Sequence, residues 1–362
     1  MKNIVFLFSL LLFTTTTFSQ ATYYTIAGKV IDKITRSPLA GASVFAQNTT
    51  FGIATDAEGN FKLKIPAGGY ELIITFTGYE TENIRISQAS APEAMMVELK
   101  KREKSLEEVS VVASNEVKNG WEKYGQFFTE NFIGKSIFGK QAVIKNPEVL
   151  KFFYSKKRNR LKVLAGDPLI VANNALGYNI RFAIDSFTYE YNTGFNQFIG
   201  YPLFEEMQGS PEQQVVWQQN RLKAYQGSQL HFMKSLYSQT LADEGFEVQF
   251  LVKYNGEENT IPLKNVNAAL HYEKDDSTNT VEFKPNQPDL VVIYLPAKPE
   301  QGYFDYDPKA KKDYQVSTLT VLPGESIIIE QNGYYYDQAE LTTNGYWAYK
   351  KVGDMLPYDY VA

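Results

Sequence analysis

The stretch IAGKVIDKITRSPLAGASVFAQNTTFGIATDAEGNFKLKIPAGGYELIITFTGYE runs from Ile26 to Glu80, and MMVEL follows at Met95–Leu99. Apolar and polar side chains alternate within it, for example at Phe61, Leu63 and Ile65. A period of two places every apolar side chain on one face of an extended strand. β-branched and aromatic residues, which favour strands, are also frequent in the stretch. We therefore predict several short strands here.

Turn-forming residues interrupt this alternation about every ten residues, which is the spacing of strands in a small antiparallel sandwich. Asp56–Asn60 (DAEGN) and Pro66–Gly69 (PAGG) contain residues that tolerate a positive φ, and Gly78 ends the densest apolar run. Asn48–Thr50 matches an N-glycosylation sequon, but its place between two predicted strands indicates a hairpin loop. The pattern predicts a β-sandwich.

The order GKVID, PLAGASV, GIATDAEGNF, IPAGGYEL and FTGYE resembles the carboxypeptidase-regulatory-like domain over Tyr24–Lys100. The resemblance implies a transthyretin-like, seven-stranded β-sandwich that accompanies a peptidase without carrying its zinc chemistry. The chain has two histidines, and neither His231 nor His271 begins an H-x-x-E pattern. We therefore expect no zinc carboxypeptidase site, no other metal site and no cofactor.

Composition excludes several functional classes. The 362 residues include 36 Lys and Arg against 41 Asp and Glu, for a formal net charge of -5. Such a chain has no basic surplus for nucleic acid, so we expect no nucleic-acid partner. It also contains no Cys, which excludes disulfides, thiolate catalysis and attachment of a lipid to an N-terminal cysteine.

The first twenty residues have the pattern of a secretory signal peptide. Lys2 supplies the positive charge, Ile4–Phe13 is a short apolar run, and cleavage is expected after Ser19 or Gln20. A membrane anchor or a buried helix is the alternative interpretation of Met1–Gln20. No later segment has the roughly 18 apolar residues that a membrane-spanning helix needs. We predict an exported protein of the periplasm, the outer membrane or the cell surface.

A charged linker is predicted at 101–120. Within it, Ser105–Ala113 resembles the extended segment that follows the same domain in TonB-dependent receptors, where the segment pairs with an energy-coupling partner by strand addition. A last strand of the sandwich or a plain linker is the alternative. The remaining chain is short for such a receptor, so a relic or accessory of a TonB-dependent uptake system is one hypothesis.

Residues 121–362 are predicted to form a second, mixed and mostly β domain with one or two helices and room for two subdomains, so the whole chain is mainly β with some helix (α+β). Helical spacing is found at Trp121–Phe132 and Pro211–Glu244. Short apolar runs between turn residues predict strands at Val149–Tyr154, Arg160–Ala165, Leu169–Ala172, Tyr178–Ile184, Phe187–Tyr191, Asn196–Tyr201, Phe246–Tyr254, Ala268–Tyr272, Thr280–Phe283, Leu290–Leu295, Ser317–Leu322 and Ser326–Glu330.

A candidate ligand-binding group lies on the longer predicted helix. At 100° per residue, Arg221, Tyr225, Ser228, His231 and Ser235 fall within about 120° of one another. We predict Arg221, Tyr225 and His231 as residues that bind an anion or a sugar. A merely polar helix face with Tyr225 and His231 packed at its edge is the alternative, and Gly227 would break the helix.

The sequence motifs give little support to a catalytic function. His231 could accept a proton from Ser228 or Ser235, which would suit a hydrolase. The nearest approach to a G-x-S-x-G elbow, Gly324–Ile328, lacks the second glycine. We therefore assign no catalytic residue.

The C-terminal part is rich in aromatic residues. Exposed Tyr and Trp side chains stack on sugars or anchor protein interfaces, whereas buried ones cap a β core, and the sequence leaves both alternatives open. The residues concerned are Tyr334, Tyr335, Tyr336, Tyr346, Trp347, Tyr349, Tyr358 and Tyr360.

Two functional hypotheses follow. The first is a non-catalytic envelope protein that binds or scaffolds an envelope protein or a surface glycan, through the sandwich and the aromatic-rich C-terminal domain. The alternative is a glycan or peptide hydrolase with its site in Trp121–Ala362. The sequence does not define an oligomeric state.

The segment from Tyr346 to Pro357 is predicted to be a packed closing segment rather than a loose tail. We expect deletion of Gly345–Ala362 to destabilise the second domain, because the packing of this segment would be lost. Thermal unfolding of the truncated protein tests this, and an unchanged transition would contradict it.

Overall fold

The computed structural model of the chain describes residues 22–87, 94–102, 115–336 and 338–362. The predicted signal peptide Met1–Gln20 and the receptor-like segment Ser105–Ala113 lie outside these ranges. Within the ranges, no helix has the length and apolar character needed to cross a membrane.

Seven strands form the N-terminal sandwich, which confirms the predicted fold of this part. They are β1 (Tyr23–Asp32), β2 (Ser43–Ala46), β3 (Gly52–Ala54), β4 (Asn60–Pro66), β5 (Tyr70–Thr75), β6 (Glu82–Ile86) and β7 (Met95–Leu99). One sheet has the order β4-β1-β7 and the other the order β3-β2-β5-β6. β1 pairs with β7 in parallel and with β4 antiparallel. The alternating residues Ile26, Val44, Ile65 and Leu72 fill the space between the sheets.

The next part of the chain is a helix packed on a six-stranded sheet. Its elements are α1 (Gly120–Phe132), β8 (Ala142–Ile144), β9 (Leu150–Ser155), β10 (Arg160–Ala165), β11 (Leu169–Asn173), β12 (Tyr178–Glu190) and β13 (Phe195–Glu206). The strand order is β8-β11-β12-β10-β9, and β13 pairs with β12. The core forms where Phe128 and Phe132 of α1 stack edge-on against Phe187 and Phe182 of β12.

The last part of the chain surrounds a second large core that contains Phe232, Leu236, Phe283 and Leu290. Its elements are α2 (Pro211–Tyr225), α3 (Gln229–Ser238), β14 (Phe246–Tyr254), β15 (Glu257–Pro262), α4 (Val266–Ala269), β16 (Glu273–Asp275), β17 (Thr280–Phe283), β18 (Asp289–Tyr294), α5 (Tyr303–Tyr306), β19 (Gln315–Val321), β20 (Ile327–Glu330), β21 (Leu341–Gly345) and α6 (Tyr346–Tyr349). The two sheets have the orders β15-β14-β18-β19-β21 and β16-β17-β20.

The mainly β class with some helix is confirmed, but three details differ from the prediction. The described residues contain six α-helices, α1 to α6, rather than one or two. The predicted strand Ala268–Tyr272 is wrong, because the Asn265 side chain accepts a hydrogen bond from the Ala268 N–H (3.1 Å) and caps the short helix α4. The predicted runs Tyr178–Ile184 and Phe187–Tyr191 belong to one continuous strand, β12, with a register shift between Ile184 and Ser186.

The single helix predicted at Pro211–Glu244 is also wrong, because the chain breaks between α2 and α3. Gly227 has a φ of 76°, which a helix excludes and which glycine adopts without steric cost. A Cβ at this position would lie 2.5 Å from Oε1 of Gln315 and 2.6 Å from the ring of Tyr294. Ser228 then starts α3, where its hydroxyl accepts a hydrogen bond from the His231 N–H (3.1 Å).

The sandwich is joined to the rest of the protein by the β2–β3 hairpin loop, Asn48–Thr50. The Asn48 N–H donates to the Pro202 carbonyl (2.8 Å), and the Thr49 carbonyl accepts from the Phe204 N–H (2.9 Å). On the other side, the Asn48 carbonyl accepts from the Tyr358 N–H (2.7 Å), and the Thr50 N–H donates to the Asp359 carboxylate (2.9 Å). The loop is therefore wedged between β13 and the C-terminal residues. The sequon is a hairpin loop as predicted, and Asn48 is buried.

An apolar contact adds to this junction. Phe45 and Ile73 face outward from the β3-β2-β5-β6 sheet and pack against Leu203 of β13, with Tyr201 beside them. The three aliphatic and aromatic side chains Phe45, Ile73 and Leu203 are all buried. The sandwich thus hides apolar surface that would be exposed if it were an independent module.

A buried carboxylate forms a further contact between the two parts. Glu330, at the end of β20, accepts hydrogen bonds from the Gly69 N–H (3.1 Å) and the Tyr336 hydroxyl. The guanidinium of Arg85 lies 3.5 Å from the centre of the Tyr336 ring. Burial raises the pKa of Glu330, and the two hydrogen bonds oppose that rise. Gly69 is required by space, since a Cβ there would overlap the Glu330 carboxylate.

Substitution of Leu203 by Ala tests the apolar junction. We expect the free energy of unfolding to fall by about 2–5 kcal/mol, because the substitution leaves a cavity between the sandwich and β13. Ile199→Ala is the matched control, since Ile199 lies on the same strand but is 49% exposed. It should change the free energy of unfolding by no more than about 0.5 kcal/mol. Equal effects of the two substitutions in urea unfolding would contradict a buried junction at Leu203.

Candidate functional site

Arg221 is held by contacts within the protein. Its Nε donates to the Leu176 carbonyl (2.7 Å), Nη2 to the Gly177 carbonyl (3.1 Å) and Nη1 to Oε1 of Glu206 (2.8 Å). The guanidinium also lies over the ring of Tyr178, 3.9 Å from its centre. These contacts fasten α2 to the turn between β11 and β12.

Two neighbours on α2 make the same kind of contact with this turn. Nε1 of Trp217 donates to the Asn174 carbonyl, and Nδ2 of Asn220 donates to the Ala175 carbonyl, both at 2.9 Å. α2 is otherwise mostly exposed, with Trp217 as its buried residue. The helix is therefore positioned by polar side chains that satisfy turn carbonyls rather than by a broad apolar face. The apolar side chains of Val216 and Leu222 on α2 are 52% and 41% exposed.

His231 lies on α3 in an aromatic enclosure. Its Nδ1 accepts a hydrogen bond from the Gly227 N–H (3.1 Å), which leaves the proton of the neutral ring on Nε2, 3.1 Å from Oε2 of Glu244. The rings of Tyr225 and Phe246 lie 4.6 and 4.9 Å from the imidazole centre. Burial lowers the pKa of His231, and the hydrogen bond with Glu244 opposes that effect. The imidazole is therefore neutral near pH 7.

The hydroxyls predicted beside His231 do not reach its ring. Ser228 accepts the His231 backbone N–H, and the Ser235 hydroxyl donates to the His231 carbonyl (2.8 Å). The two ring nitrogens of His231 face the Gly227 N–H and Glu244 instead, so His231 and these serines do not form the arrangement that a serine hydrolase needs.

Tyr225 connects His231 to the C-terminal residues. Its ring lies 5.5 Å from that of Tyr360, and Nζ of Lys234 donates to the Tyr360 carbonyl (2.6 Å). Burial raises the pKa of Tyr225 to about 12. The structure thus brings Tyr225 and His231 together, while Arg221 serves a different contact at the β11–β12 turn.

An open cavity of about 570 Å³ lies between α2, the end of β13, the Asn48–Thr50 loop and the C-terminal residues. Arg221 lines it, but Tyr225 and His231 do not. Sequence reasoning missed the carboxylates of Glu206 and Asp359 at this cavity, because they come from a strand end and from the chain terminus. Gln218, Gln219 and Leu222 present the α2 side of the cavity, and Tyr360 forms part of the opposite side.

The aromatic residues near the C-terminus mainly cap the cores. Tyr334, Tyr336, Tyr346, Trp347 and Tyr349 are all buried. Nε1 of Trp347 donates to the Gly227 carbonyl (2.8 Å), so the ring closes the break between α2 and α3. These side chains are not available as an exposed binding platform. In the parts of the chain that the structure describes, no group of three or more His, Asp or Glu residues is arranged to hold a metal ion.

The buried state of His231 predicts a pH dependence of stability. An unfolded histidine titrates near pH 6.5, about its ordinary pKa, whereas the native ring resists protonation. The stabilisation from a neutral His231 is thus present above about pH 6.5 and is lost as the pH falls through the lower folded-state pKa. We expect His231→Gln to reduce the loss of unfolding free energy between pH 7.5 and 5.

His271→Gln is the control for this measurement, because His271 is exposed and its ring bonds to the side chain of Asn286 (2.7 Å). It should keep the pH slope of the unsubstituted protein in urea unfolding. A slope unchanged by His231→Gln would show that His231 does not contribute.

Comparison with known proteins identifies the N-terminal part of the chain. Residues 26–111 match the family described as CarboxypepD_reg-like domain. A stretch of 94 residues is 34% identical to the TonB-dependent receptor SusC of Bacteroides thetaiotaomicron, and it covers 26% of this chain and 9% of the receptor. The chain therefore spans about a tenth of that relative's length.

Similarities to solved structures are weaker. A DUF3823 family protein from Parabacteroides merdae is 10% identical, with 54% of this chain and 87% of that chain covered and a TM-score of 0.18. The 3-chlorocatechol 1,2-dioxygenase from Rhodococcus opacus is 17% identical, with 23% and 61% covered and a TM-score of 0.18. Such scores support no argument about the rest of this chain. The family match and the seven observed strands confirm the resemblance of the N-terminal part to the CarboxypepD_reg-like domain that the sequence predicted.

Proposed function

We propose that this chain is an exported, non-catalytic protein of the cell envelope that binds an envelope protein or a surface glycan. One observation supports the absence of catalysis more than any other. Arg221 and His231, two of the three residues predicted to bind a ligand, direct their polar atoms to partners within the protein. Both side chains hold neighbouring structural elements together.

The envelope location rests on sequence patterns. The signal-like pattern of Met1–Gln20 would direct export. The 34% identity to part of a TonB-dependent receptor supports the same environment and leaves an accessory role in such an uptake system as a specific form of the proposal. A shared domain is evidence of kinship between the two N-terminal parts, not of shared function.

The way in which the sandwich is held suits a scaffold. The Asn48–Thr50 loop is bonded on both sides, and Leu203 seals the apolar junction. A partner that binds either part would therefore meet a preorganised surface, which reduces the ordering cost of association. The sandwich contributes by fixing the position of the surfaces beside it.

Capture from a detergent-solubilised envelope fraction tests the proposed function. We expect the tagged, full-length processed protein to retain a specific envelope component relative to a tag-only control. The variant His231→Gln should retain the same component, because His231 lies in the interior and not at a binding surface. The variant must first be shown to fold at pH 7.5, by circular dichroism and urea unfolding.

The hydrolase hypothesis predicts a different outcome. Hydrolysis of glycan or peptide substrates that is abolished by His231→Gln in a folded protein would contradict the proposal. Recovery of the protein in the cytoplasmic fraction would contradict its envelope location.

A further inference from the structure

We infer that the end of the six-stranded sheet carries a binding site for an acidic polysaccharide, a ligand class that extends the proposed function and rests on it. The site combines two features. The first, the aromatic surface, consists of Tyr124, Phe127, Tyr154, Tyr189 and Tyr191. The second, the basic turn, is Lys156–Arg158 between β9 and β10.

The aromatic surface is a continuous group of partly exposed rings. Tyr124 stacks on Tyr154 with 6.1 Å between ring centres, and Phe127 stacks on Tyr191 at 5.4 Å. Tyr189 completes the group, 4.7 Å from Phe127 and 5.0 Å from Tyr191. Each of these five residues is partly exposed, unlike the buried C-terminal residues Tyr334, Tyr336, Tyr346 and Tyr349. Ring faces and hydroxyls at a partly wet surface are suited to the apolar faces and hydroxyls of sugar rings.

Hydrogen bonds hold the aromatic surface to the two adjacent turns. The Tyr154 hydroxyl donates to Oδ1 of Asn159 (2.7 Å), and Nδ2 of Asn159 donates to Oδ1 of Asn192 (2.8 Å). Asn159 has a φ of 48°, which asparagine tolerates better than most residues. The turn after β9 and the turn after β12 are thus fixed beside the rings, and the exposed amide of Asn192 can bond to a sugar hydroxyl.

Charge identifies the kind of polysaccharide. Lys156, Lys157 and Arg158 are exposed, and none of them forms an ion pair with a residue in the described ranges. Nζ of Lys123 adds a fourth cation 5.1 Å from the centre of the Tyr124 ring. In a chain whose formal net charge is -5, this concentration of cations is a local reversal of sign. It complements a glycan with repeated carboxylate, sulfate or phosphate groups.

A lipid surface is the less favoured occupant. Binding to a lipid surface calls for apolar side chains that project from the protein into the membrane. The rings of the aromatic surface instead pack against one another and against Phe152 of β9. Phe195, at the start of β13, is a single exposed apolar side chain beside these turns.

Titration calorimetry of the full-length processed protein with polygalacturonate tests the inference, and neutral dextran serves as the uncharged comparison. We expect polygalacturonate to bind and dextran to bind at least tenfold more weakly. The triple variant Lys156→Gln/Lys157→Gln/Arg158→Gln should lose about tenfold or more in affinity, since three exposed charge contacts are removed.

Two sets of variants distinguish binding at a specific site from non-specific electrostatic attraction of the polysaccharide. Lys33→Gln/Lys62→Gln/Lys64→Gln changes the net charge equally at exposed residues of the sandwich and should leave the affinity within twofold. Tyr191→Leu should weaken binding about tenfold, whereas Tyr191→Phe, which keeps the ring, should bind nearly as well as tyrosine. Unfolding curves establish that each variant folds.

Several outcomes would overturn the inference. Equal losses in the two triple variants would show non-specific attraction, and full binding by Tyr191→Leu would remove the sugar-stacking role. Binding to vesicles of phosphatidylglycerol and phosphatidylcholine, without binding to polygalacturonate, would assign the surface to lipid. If the protein does not bind polygalacturonate but still captures an envelope component, this inference is overturned and the proposed function stands.

Discussion

The hydrogen bonds of the Asn48–Thr50 loop are the constraint on which the arrangement of the protein depends. Within two residues, the backbone bonds β13 on one side and the C-terminal residues on the other. Asn48 and Thr49 are buried. If the sandwich separated from the rest of the chain and water did not replace the lost hydrogen bonds, each unpaired polar group would cost about 1–3 kcal/mol. The same loop forms one side of the cavity lined by Arg221.

The polar side chains discussed above mostly join neighbouring structural elements through hydrogen bonds. Arg221 ties α2 to a turn, Glu330 ties β20 to the sandwich, and His231 fills the break between α2 and α3. Each has an altered environment or a dense set of partners, features that also mark functional sites. Their partners here are mainly backbone groups of neighbouring elements. Function is therefore better sought at exposed surfaces that the fold holds rigid than in these interior groups.

The sequence determines local structure in this protein more clearly than the contacts between its parts. The alternation at Phe61, Leu63 and Ile65 is enough to predict β4, because a strand with one buried face carries its own pattern. The break at Gly227 was visible as a glycine, but the close approach of Tyr294 and Gln315 that makes glycine necessary involves residues far along the chain.

The same reasoning applies to the candidate site. Arg221 and His231 could be selected by residue type and helical spacing, but their partners, the Leu176 carbonyl and Glu244, could not. The aromatic surface could not be predicted either, since Phe127 and Tyr191 meet only when α1 packs beside β12. The spacing of residues in the sequence cannot show which polar groups already bond to partners within the protein. Those partners decide whether a residue stabilises the fold or can bind a ligand.

The sandwich and the rest of the chain should unfold as one cooperative body because the Asn48–Thr50 loop joins them. Native-state hydrogen exchange of the Asn48, Phe204 and Tyr358 amides, measured by NMR, tests this coupling. We expect these three amides to exchange with the same free energy as core amides such as those of Val44 and Ile74. Exchange of the three through a low-energy local opening, while the core amides stay protected, would contradict it.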